Sequence, residues 1–236
     1  MNSDVVSTIK RRIKSVPVLG PAAMSAKAWV SRSVFPGSAR YWERWYAGGG
    51  SSGPGSFGQL AGFKAEVVNA FVVSNGVRSV IEFGCGDGNQ LSLARYPKYI
   101  GLDVSRTAIG LCKQRFADDP AKSFFLYDPQ CFVDRDGMFR ADLALSLDVV
   151  FHLIEDTVFE AYMTHLFSSA ERFVIIYSID SEAPATVGYV RNRRFSPWVQ
   201  QNIPGWQLVE KIDNRFPWRG DLRTGSLSDF YLYARR

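Results

Sequence analysis

The sequence predicts an α/β protein: a doubly wound, mainly parallel sheet of seven strands, with a C-terminal antiparallel hairpin and an N-terminal helical and aromatic extension. Three observations predict this fold. Short runs of β-branched and aromatic residues alternate with amphipathic segments of helical length. A glycine-rich turn directly follows the first such run. The last two runs have no long helix between them, which indicates a hairpin added to the sheet.

The predicted elements alternate along the chain. A helix begins near Phe57 and places Leu60 and Phe63 on one apolar stripe. Ser105 is a natural N-cap for a helix that extends to Phe116. The other predicted helices cover about 89–95 and 155–170, and the seven predicted strands cover 79–83, 99–103, 124–127, 142–147, 173–179, 206–214 and 227–234.

The composition is that of an ordinary globular protein. The chain has 236 residues, of which 46% are hydrophobic and 22% are charged, and this excludes a disordered, collagen-like or repeat-dominated chain. No apolar run approaches the roughly 20 residues that span a bilayer. Three cysteines without a CxxC pair indicate reduced thiols. Two histidines are too few for a histidine-rich metal site, and no metal is expected.

Positive charge is concentrated at the N-terminal end. Residues 1–40 contain seven basic residues and one acid, a net charge of +6, whereas the remaining 196 residues carry 21 basic and 22 acidic residues. Within this basic arm, 5–16 places apolar and basic residues at helical spacing. A basic amphipathic helix of this kind suits the surface of an anionic membrane. The alternative is a short helix that packs on the domain, or a frayed arm.

An aromatic and glycine-rich segment, 41–58, comes before the predicted domain at 59–236. It contains YWERWY and then GGGSSGPGSFG. So many glycines do not hold regular structure, and they let backbone amides approach a ligand closely. We expect this segment to close over a site as a lid, with Tyr41, Trp45 and Tyr46 contacting the substrate. A flexible linker is the alternative.

The turn after the first strand carries the chemistry. Its glycines are Gly84, Gly86 and Gly88, and an acid, Glu82, stands two residues before the first of them. A dinucleotide-binding turn would have its third glycine one residue later, at Asn89. A carboxylate before the glycines repels phosphate and attracts a cation. A positively charged ligand without phosphate, such as S-adenosylmethionine with its ammonium and sulfonium groups, therefore fits this turn.

The stretch from Glu82 to Gly88 resembles the first motif of the seven-stranded, Rossmann-like (class I) S-adenosylmethionine-dependent methyltransferases. That motif is acid-x-Gly-x-Gly-x-Gly, and the stretch matches it at every position. The resemblance extends over about residues 57–236. It implies the fold described above, a methyltransferase activity and S-adenosylmethionine as cofactor. It also implies that Glu82, Gly84, Gly86 and Gly88 bind this cofactor.

The resemblance assigns roles to further acids. Asp103, 21 residues after Glu82, stands at the end of the second strand, where the family holds both ribose hydroxyls. Asp128 follows the third strand and is expected near the adenine amino group, although it could instead shape a turn before a proline. Asp148 ends the fourth strand beside the methionine part of the cofactor. Asp142 begins that strand and is expected to be structural.

His152, four residues after Asp148, is the candidate general base that takes a proton from the acceptor. Asp148 and His152 together form the predicted catalytic pair. The alternative for His152 is a role in capping or orienting the loop. Glu155 and Asp156 could join them around a divalent metal, but acids at these positions more often begin a helix, whose dipole favours negative charge there.

Arginines between the fifth and sixth strands are candidate acceptor contacts. In this fold the insertion at that place commonly forms part of the acceptor pocket. Arg191, Arg193 and Arg194 are therefore predicted to hold a phosphate or carboxylate. Arg215 lies in a similar stretch near Trp218 and is predicted to face the same cavity. A solvated basic loop is the alternative.

The segments YWERWYAGG, VIEFGCGDGNQL and DVVFHLIED together resemble small bacterial methyltransferases of surface-glycan biosynthesis. This resemblance implies O-methylation of a sugar hydroxyl, or of a phosphate-type group, on a glycan or its precursor. The reduced cysteines predict a cytoplasmic protein, and the basic arm would suit contact with the inner face of the membrane.

Other functions stay open. The chain could methylate a small molecule of specialised metabolism, or an RNA held by the basic arm. DNA is not expected as a partner, because the sequence has no N/D-P-P-Y/F motif of base-amino methylases. The intact turn and Asp103 disfavour a non-catalytic adaptor, and the glycine spacing disfavours a nicotinamide dehydrogenase. The sequence leaves the oligomeric state open.

Overall fold

The structure, a computed structural model, describes residues 35–185 and 187–236. The amphipathic helix predicted at 5–16 lies outside the described residues, as does most of the 1–40 arm. Within the described part of the chain, no helix is long and apolar enough to cross a bilayer. All three cysteines are free thiols, of which Cys131 is exposed and the other two are buried.

The predicted seven-stranded sheet is confirmed. In chain order its strands are β1 (Val80–Phe83), β2 (Tyr99–Asp103), β3 (Lys122–Leu126), β4 (Ala141–Leu147), β5 (Ala170–Ser178), β6 (Trp206–Ile212) and β7 (Asp229–Arg235). They lie side by side in the order β3-β2-β1-β4-β5-β7-β6. The first five strands pair in parallel, whereas β7 runs antiparallel to both of its neighbours.

Helices pack on both faces of this sheet. They are α1 (Ser38–Ala47), α2 (Gly58–Ser74), α3 (Arg106–Arg115), α4 (Asp156–Ser168) and α5 (Phe195–Asn202). The short helix predicted at about 89–95 is a 3₁₀ turn at Gln90–Leu93, and further 3₁₀ turns lie at Pro54–Ser56 and Val150–His152. The sequence did not predict α1 or α5, because dense aromatic residues obscure the periodicity of α1 and Pro197 suggests a turn in α5.

Two hydrophobic cores, one on each face, explain why the central strands are apolar throughout. Val80 and Leu143 pack in one core with α2 and α3, whereas Ile81 and Ala144 pack in the other with α4 and α5. Successive strand residues point to opposite faces, so a strand covered on both faces is hydrophobic at every position. The strand order reverses between β1 and β4, and this reversal opens a crevice at their carboxyl ends.

Glu43 holds α1 against the carboxyl edge of the sheet. Its carboxylate accepts hydrogen bonds from Ser105 Oγ at 2.7 Å, from Thr107 Oγ1 at 2.7 Å and from the Thr107 amide at 3.1 Å. These donors form the N-terminus of α3, where free amides and the helix dipole favour negative charge. They hold the pKa of Glu43 below its usual value. At the start of α1, Ser38 Oγ donates to Glu155 Oε2 at 2.6 Å.

Removing the Glu43 carboxylate should loosen this attachment. We expect Glu43→Ala to lower the free energy of unfolding by about 1 to 2 kcal/mol in urea denaturation, because the α3 N-terminus loses its acceptor. The matched control is Glu182→Ala, at an exposed residue, which should change the free energy by less than about 0.5 kcal/mol. Equal stabilities of the two variants would contradict the role of Glu43.

Candidate functional site

A cavity of about 1170 Å³ opens at the carboxyl edge of the sheet. It is lined by the ends of β1, β2, β3 and β4, by α1, and by residues from the segments 51–56, 184–192 and 218–228. Ligands of doubly wound sheets bind at this edge, where the strand order reverses. The volume is large enough for a nucleoside-sized ligand together with a second molecule.

The turn after β1 leaves bare backbone at the cavity wall. Gly84, Gly86 and Gly88 have φ angles of 85°, 57° and 74°, in the left-handed range that favours glycine. A Cβ atom on Gly86 would lie 2.4 Å from Ser52 Oγ and 2.7 Å from Tyr46 Oη. Conformation and close packing therefore both require glycine here, and the amides of residues 84–89 all donate to acceptors within the protein.

Ser52 attaches the glycine-rich segment to this turn. Its amide donates to Asp87 Oδ2 at 3.1 Å, and its hydroxyl donates to Asp87 Oδ1 at 2.6 Å. Nearby, Asn89 Nδ2 donates to the Ser56 carbonyl at 2.6 Å. The segment predicted to close over a site thus lies directly against the turn. Its opening and closing as a lid stay a prediction.

Glu82 and Asp103 are buried carboxyl groups beside the turn. Glu82 Oε2 accepts a hydrogen bond from Tyr99 Oη at 2.6 Å, and burial raises the pKa of Glu82 to about 7. Asp103 accepts from the amides of Ser105 at 2.8 Å and of Gly86 at 2.9 Å. Burial outweighs these bonds and raises the pKa of Asp103 to about 6.

Asp148 lies at the end of β4 in a buried polar cluster with Lys64 and Ser228. Lys64 Nζ lies 2.6 Å from Asp148 Oδ2, and its side chain is 1% exposed. Ser228 Oγ donates to Asp148 Oδ1 at 3.1 Å. Asp148 has a φ of 59°, the one left-handed angle at a non-glycine residue among those described. A Cβ atom on Gly55 would lie 2.9 Å from Asp148 Oδ2, so the glycine-rich segment also crosses this cluster.

His152 lines the cavity in an aromatic surrounding. Its Nδ1 lies 2.9 Å from the Tyr189 carbonyl oxygen. A carbonyl only accepts, so Nδ1 carries the proton and the neutral ring has its lone pair on Nε2. The Trp42 ring lies edge-on at 4.7 Å between centroids. Burial lowers the pKa of His152 to about 4, so the ring is an uncharged proton acceptor at neutral pH.

Asp128 and the three aromatic residues predicted for substrate contact also lie at the cavity. Asp128 is exposed at its wall, and its Oδ1 accepts from the Gln130 amide at 2.9 Å. Tyr41, Trp45 and Tyr46 line it from α1. The Tyr41 ring stacks on the Tyr189 ring at 5.3 Å.

Two of the predicted arginines are bound to the start of α4. Arg191 Nη1 donates to the Ile154 carbonyl at 2.8 Å, and its Nη2 lies 3.0 Å from Asp156 Oδ1. Arg193 pairs with the same Asp156 oxygen, and its guanidinium lies 4.7 Å above the Phe159 ring. These contacts anchor the segment between β5 and α5.

The remaining two arginines lie elsewhere on the surface. Arg194 is exposed, and Arg215 makes two bonds of 2.8 Å to the Glu66 carboxylate. Of the four arginines, none is among the cavity-lining residues of the described chain. The structure gives Arg191, Arg193 and Arg215 anchoring positions, and their contact with an acceptor stays a prediction.

Glu155 and Asp156 have partners within the protein. The Ser38 amide donates to Glu155 Oε1 at 2.9 Å, and Asp156 pairs with the two arginines. Among residues 35–185 and 187–236, no three His, Cys, Asp or Glu side chains are grouped so that they could hold a metal ion. The two acids stand at the start of α4, where its dipole favours them.

Three residues at the site were missed by sequence reasoning. Lys64 lies on the apolar stripe of α2, four residues after Leu60, and a lysine at such a position is a signal for a buried ion pair. Ser52 lies within the glycine-rich segment, and nothing in the sequence relates it to Asp87. Tyr189 lies in the segment that contains the predicted arginines, and its backbone carbonyl orients His152.

Solved structures share this fold. The methyltransferase domain of bacterial CtHen1-C is 22% identical, with a TM-score of 0.56, and the match covers 73% of this chain and 96% of that domain. N-methyltransferase NodS from Bradyrhizobium japonicum, solved with S-adenosyl-L-homocysteine, is 18% identical with a TM-score of 0.61, covering 84% of this chain and 97% of NodS.

A third similar structure is magnesium protoporphyrin IX methyltransferase (ChlM) from Synechocystis with bound S-adenosylhomocysteine. It is 18% identical with a TM-score of 0.58, and the match covers 88% of this chain and 99% of ChlM. No protein-family model matches the sequence, and no curated protein matches it. At these identities the likeness establishes the fold, which is that of the class I methyltransferases.

The buried Glu82 should make stability depend on pH. Its pKa is higher in the folded chain than in the unfolded chain, so between about pH 4.5 and 7 the folded state binds more protons and loses stability as pH rises. Glu82→Gln keeps an acceptor for Tyr99 and removes this loss. We expect the variant to gain roughly 3 kcal/mol relative to the native chain across that window.

Urea denaturation without ligand, at several pH values, checks this difference. Glu182→Gln is the matched control at an exposed position and should show no such trend. A stability difference between Glu82→Gln and the native chain that is constant from pH 4.5 to 7.5 would mean that Glu82 is ionised throughout this range.

Proposed function

We propose that the chain is an S-adenosylmethionine-dependent methyltransferase that methylates an oxygen atom of a glycan or glycan precursor. The observation that carries this proposal is the acid-rich cavity at the glycine turn. Within the described part of the chain, five carboxyl groups line it, against two basic side chains, Arg40 and Lys64. Such a cavity attracts a ligand with ammonium and sulfonium groups and repels phosphates. The five acids are Glu82, Asp103, Asp128, Asp148 and Glu155.

The residues at the cavity fit this cofactor. The Asp103 carboxylate accepts two backbone amides and keeps further lone pairs for ribose hydroxyls. Lys64 supplies a buried cation beside Asp148 for the carboxylate of the methionine part. Asp128 suits the adenine amino group. When bound, S-adenosylmethionine supplies a methyl group on a positively charged sulfur, which a nucleophile displaces in line.

On the acceptor side, His152 is assigned the role of general base. The Tyr189 carbonyl fixes the tautomer with the lone pair on Nε2, which is the state that takes a proton from a hydroxyl. The low pKa keeps that lone pair free at neutral pH. Asp148 and its ion-pair partner Lys64 hold the methionine part of the cofactor. In this proposal the chain orients the acceptor, and His152 accepts its proton.

A sugar hydroxyl is the acceptor that this lining favours. Tyr41, Trp42 and Tyr189 form an aromatic wall around His152, and aromatic faces pack well on the apolar faces of sugar rings. Among the described residues, the one basic lining side chain besides Lys64, which pairs with Asp148, is Arg40. A phosphate-type acceptor would have to recruit arginines from outside the cavity.

Small-molecule and RNA acceptors are distinguished by one assay. Labelled methyl transfer from S-adenosylmethionine is measured to a panel of free sugars, sugar phosphates, lipid-linked sugars, small phenols and RNA. Transfer to a carbohydrate oxygen supports the proposal, and transfer to RNA or to phenols alone overturns the glycan part. Residues 35–236 carry 22 basic and 22 acidic residues, so binding of RNA would depend on the arm.

Asp103 should contribute directly to cofactor affinity. We expect Asp103→Ala to weaken binding of S-adenosylhomocysteine by about 5- to 150-fold in calorimetry, because the ribose hydroxyls lose a charged acceptor worth ~1–3 kcal/mol. The matched control is Asp118→Ala at an exposed position, which should bind as the native chain does. Unchanged affinity in a folded Asp103→Ala variant would remove Asp103 from the site.

His152 should contribute to turnover and not to cofactor affinity. We expect His152→Ala to reduce turnover about 10²- to 10⁴-fold, with binding of S-adenosylhomocysteine intact. With saturating S-adenosylmethionine, the native turnover should not fall as pH is lowered from about 8 to 5.5, because the His152 ring stays neutral in that range. His165→Gln, at the other histidine of the chain, is the control. A near-normal rate for His152→Ala would indicate an acceptor that is already anionic.

A further inference from the structure

The mouth of the cavity is surrounded by exposed apolar side chains. Among the described residues, sixteen large hydrophobic side chains are exposed, and seven of these line this one cavity. One of the seven, Leu126, belongs to β3. The other six lie on α1 and on loops, are between 38% and 59% exposed, and form what we name the apolar rim: Trp45, Val187, Tyr189, Trp218, Leu222 and Leu227.

The cofactor chemistry does not explain the apolar rim. Trp218, Leu222 and Leu227 lie on the connection between β6 and β7, away from the glycine turn. Their side chains are 47%, 59% and 56% exposed. Large apolar side chains that cluster at the surface, with polar residues around them, mark a protein or membrane contact. The question is which partner covers them.

The basic arm joins the domain at the same place. Phe35, the first described residue, packs its ring on Tyr41 at 5.5 Å, and Tyr41 stacks on the rim residue Tyr189 at 5.3 Å. Residues 1–34 carry six basic residues and one acid, whereas 35–236 are balanced in charge. All of the excess positive charge of the protein is therefore tethered beside the cavity mouth.

Basic side chains lie on two elements that carry rim residues, α1 and the 218–228 loop, whereas the cavity itself is lined mainly by acids. Arg40, Arg44 and Arg219 are exposed on the elements that carry rim residues. The neighbouring acids Glu43 and Asp221 are engaged, the first by the α3 N-terminus and the second by Arg223. Exposed apolar groups together with unopposed basic ones match a surface of anionic headgroups over hydrocarbon.

We infer that the apolar rim and the basic arm dock on an anionic lipid bilayer, and that the cavity receives its acceptor from that bilayer. The arm supplies electrostatic attraction to the headgroups, and the rim inserts tryptophan and leucine side chains at their level. The acceptor would then be a glycan carried on a lipid. The docking stands on the rim and arm alone, whereas the identity of the acceptor rests on the proposed function.

Cosedimentation of the full chain with vesicles tests the docking. We expect binding to phosphatidylcholine vesicles that contain phosphatidylglycerol, weaker binding to phosphatidylcholine alone, and a decline as salt screens the charges. Neutralising four arm residues (K10Q/R11Q/R12Q/K14Q) should weaken binding by roughly 10²-fold or more. Replacing three rim residues (W218S/L222S/L227S) should weaken it by roughly 10-fold or more.

The control for the rim variant replaces three apolar residues that are 56% to 76% exposed and do not line the cavity (V73S/M138S/V209S). It should bind vesicles as the native chain does. Binding that is the same for the rim and control variants, or for neutral and anionic vesicles, overturns the inference. Displacement of the chain from vesicles by RNA, combined with normal vesicle binding by the rim variant, would indicate a nucleic-acid role for the arm instead.

A second measurement does not require the triple variant to fold. Brominated lipid chains should quench tryptophan fluorescence of the native chain, and Trp218→Phe, which stays apolar, should reduce that quenching. Absence of quenching overturns the inference. S-adenosylhomocysteine binding is measured in the same preparations: a chain that binds this ligand but no vesicle overturns the docking only, whereas a chain that binds vesicles but not this ligand overturns the proposed function only.

Discussion

Buried negative charge at the carboxyl edge of the sheet is the constraint on which the site depends. Glu82, Asp103 and Asp148 stand at the ends of three adjacent strands, and each is compensated differently: by the Tyr99 hydroxyl, by two backbone amides and by the Lys64 ammonium. Ionised groups removed from water cost several kcal/mol unless they are paired. The pKa values of Glu82 and Asp103 are raised because burial disfavours their ionised forms. A cationic ligand would favour these ionised forms and would stabilise the fold by binding.

Further carboxylates hold the 41–58 segment in place. Glu43 of α1 caps α3, Asp87 of the glycine turn accepts from Ser52, and Gly55 passes close to Asp148. These contacts join the segment to the N-terminus of α3, to the glycine turn and to the end of β4. Placement of the segment therefore depends on acidic residues, none of which belongs to the exposed apolar rim.

Features that depend on neighbouring residues in the sequence could be predicted, whereas contacts between distant residues could not. The seven strands, the glycine turn after β1 and the Ser105 cap follow from short sequence patterns, so the fold was predictable. Lys64 and Ser52 were not, because their partners, Asp148 and Asp87, are distant in the sequence and only the folded chain brings them together. The sequence shows that the four predicted arginines are positively charged, but it does not show which acids they pair with. In the structure, Asp156 and Glu66 form ion pairs with three of them.

Hydrogen exchange with and without S-adenosylhomocysteine would show whether one ligand contacts both the glycine turn and the segment that lies against it, because it reports on individual amides of both. We predict that this ligand slows exchange in residues 84–89 and in residues 51–57 together, since both enclose the bound ligand. Unchanged exchange in both segments, with or without protection elsewhere in the chain, would contradict this prediction.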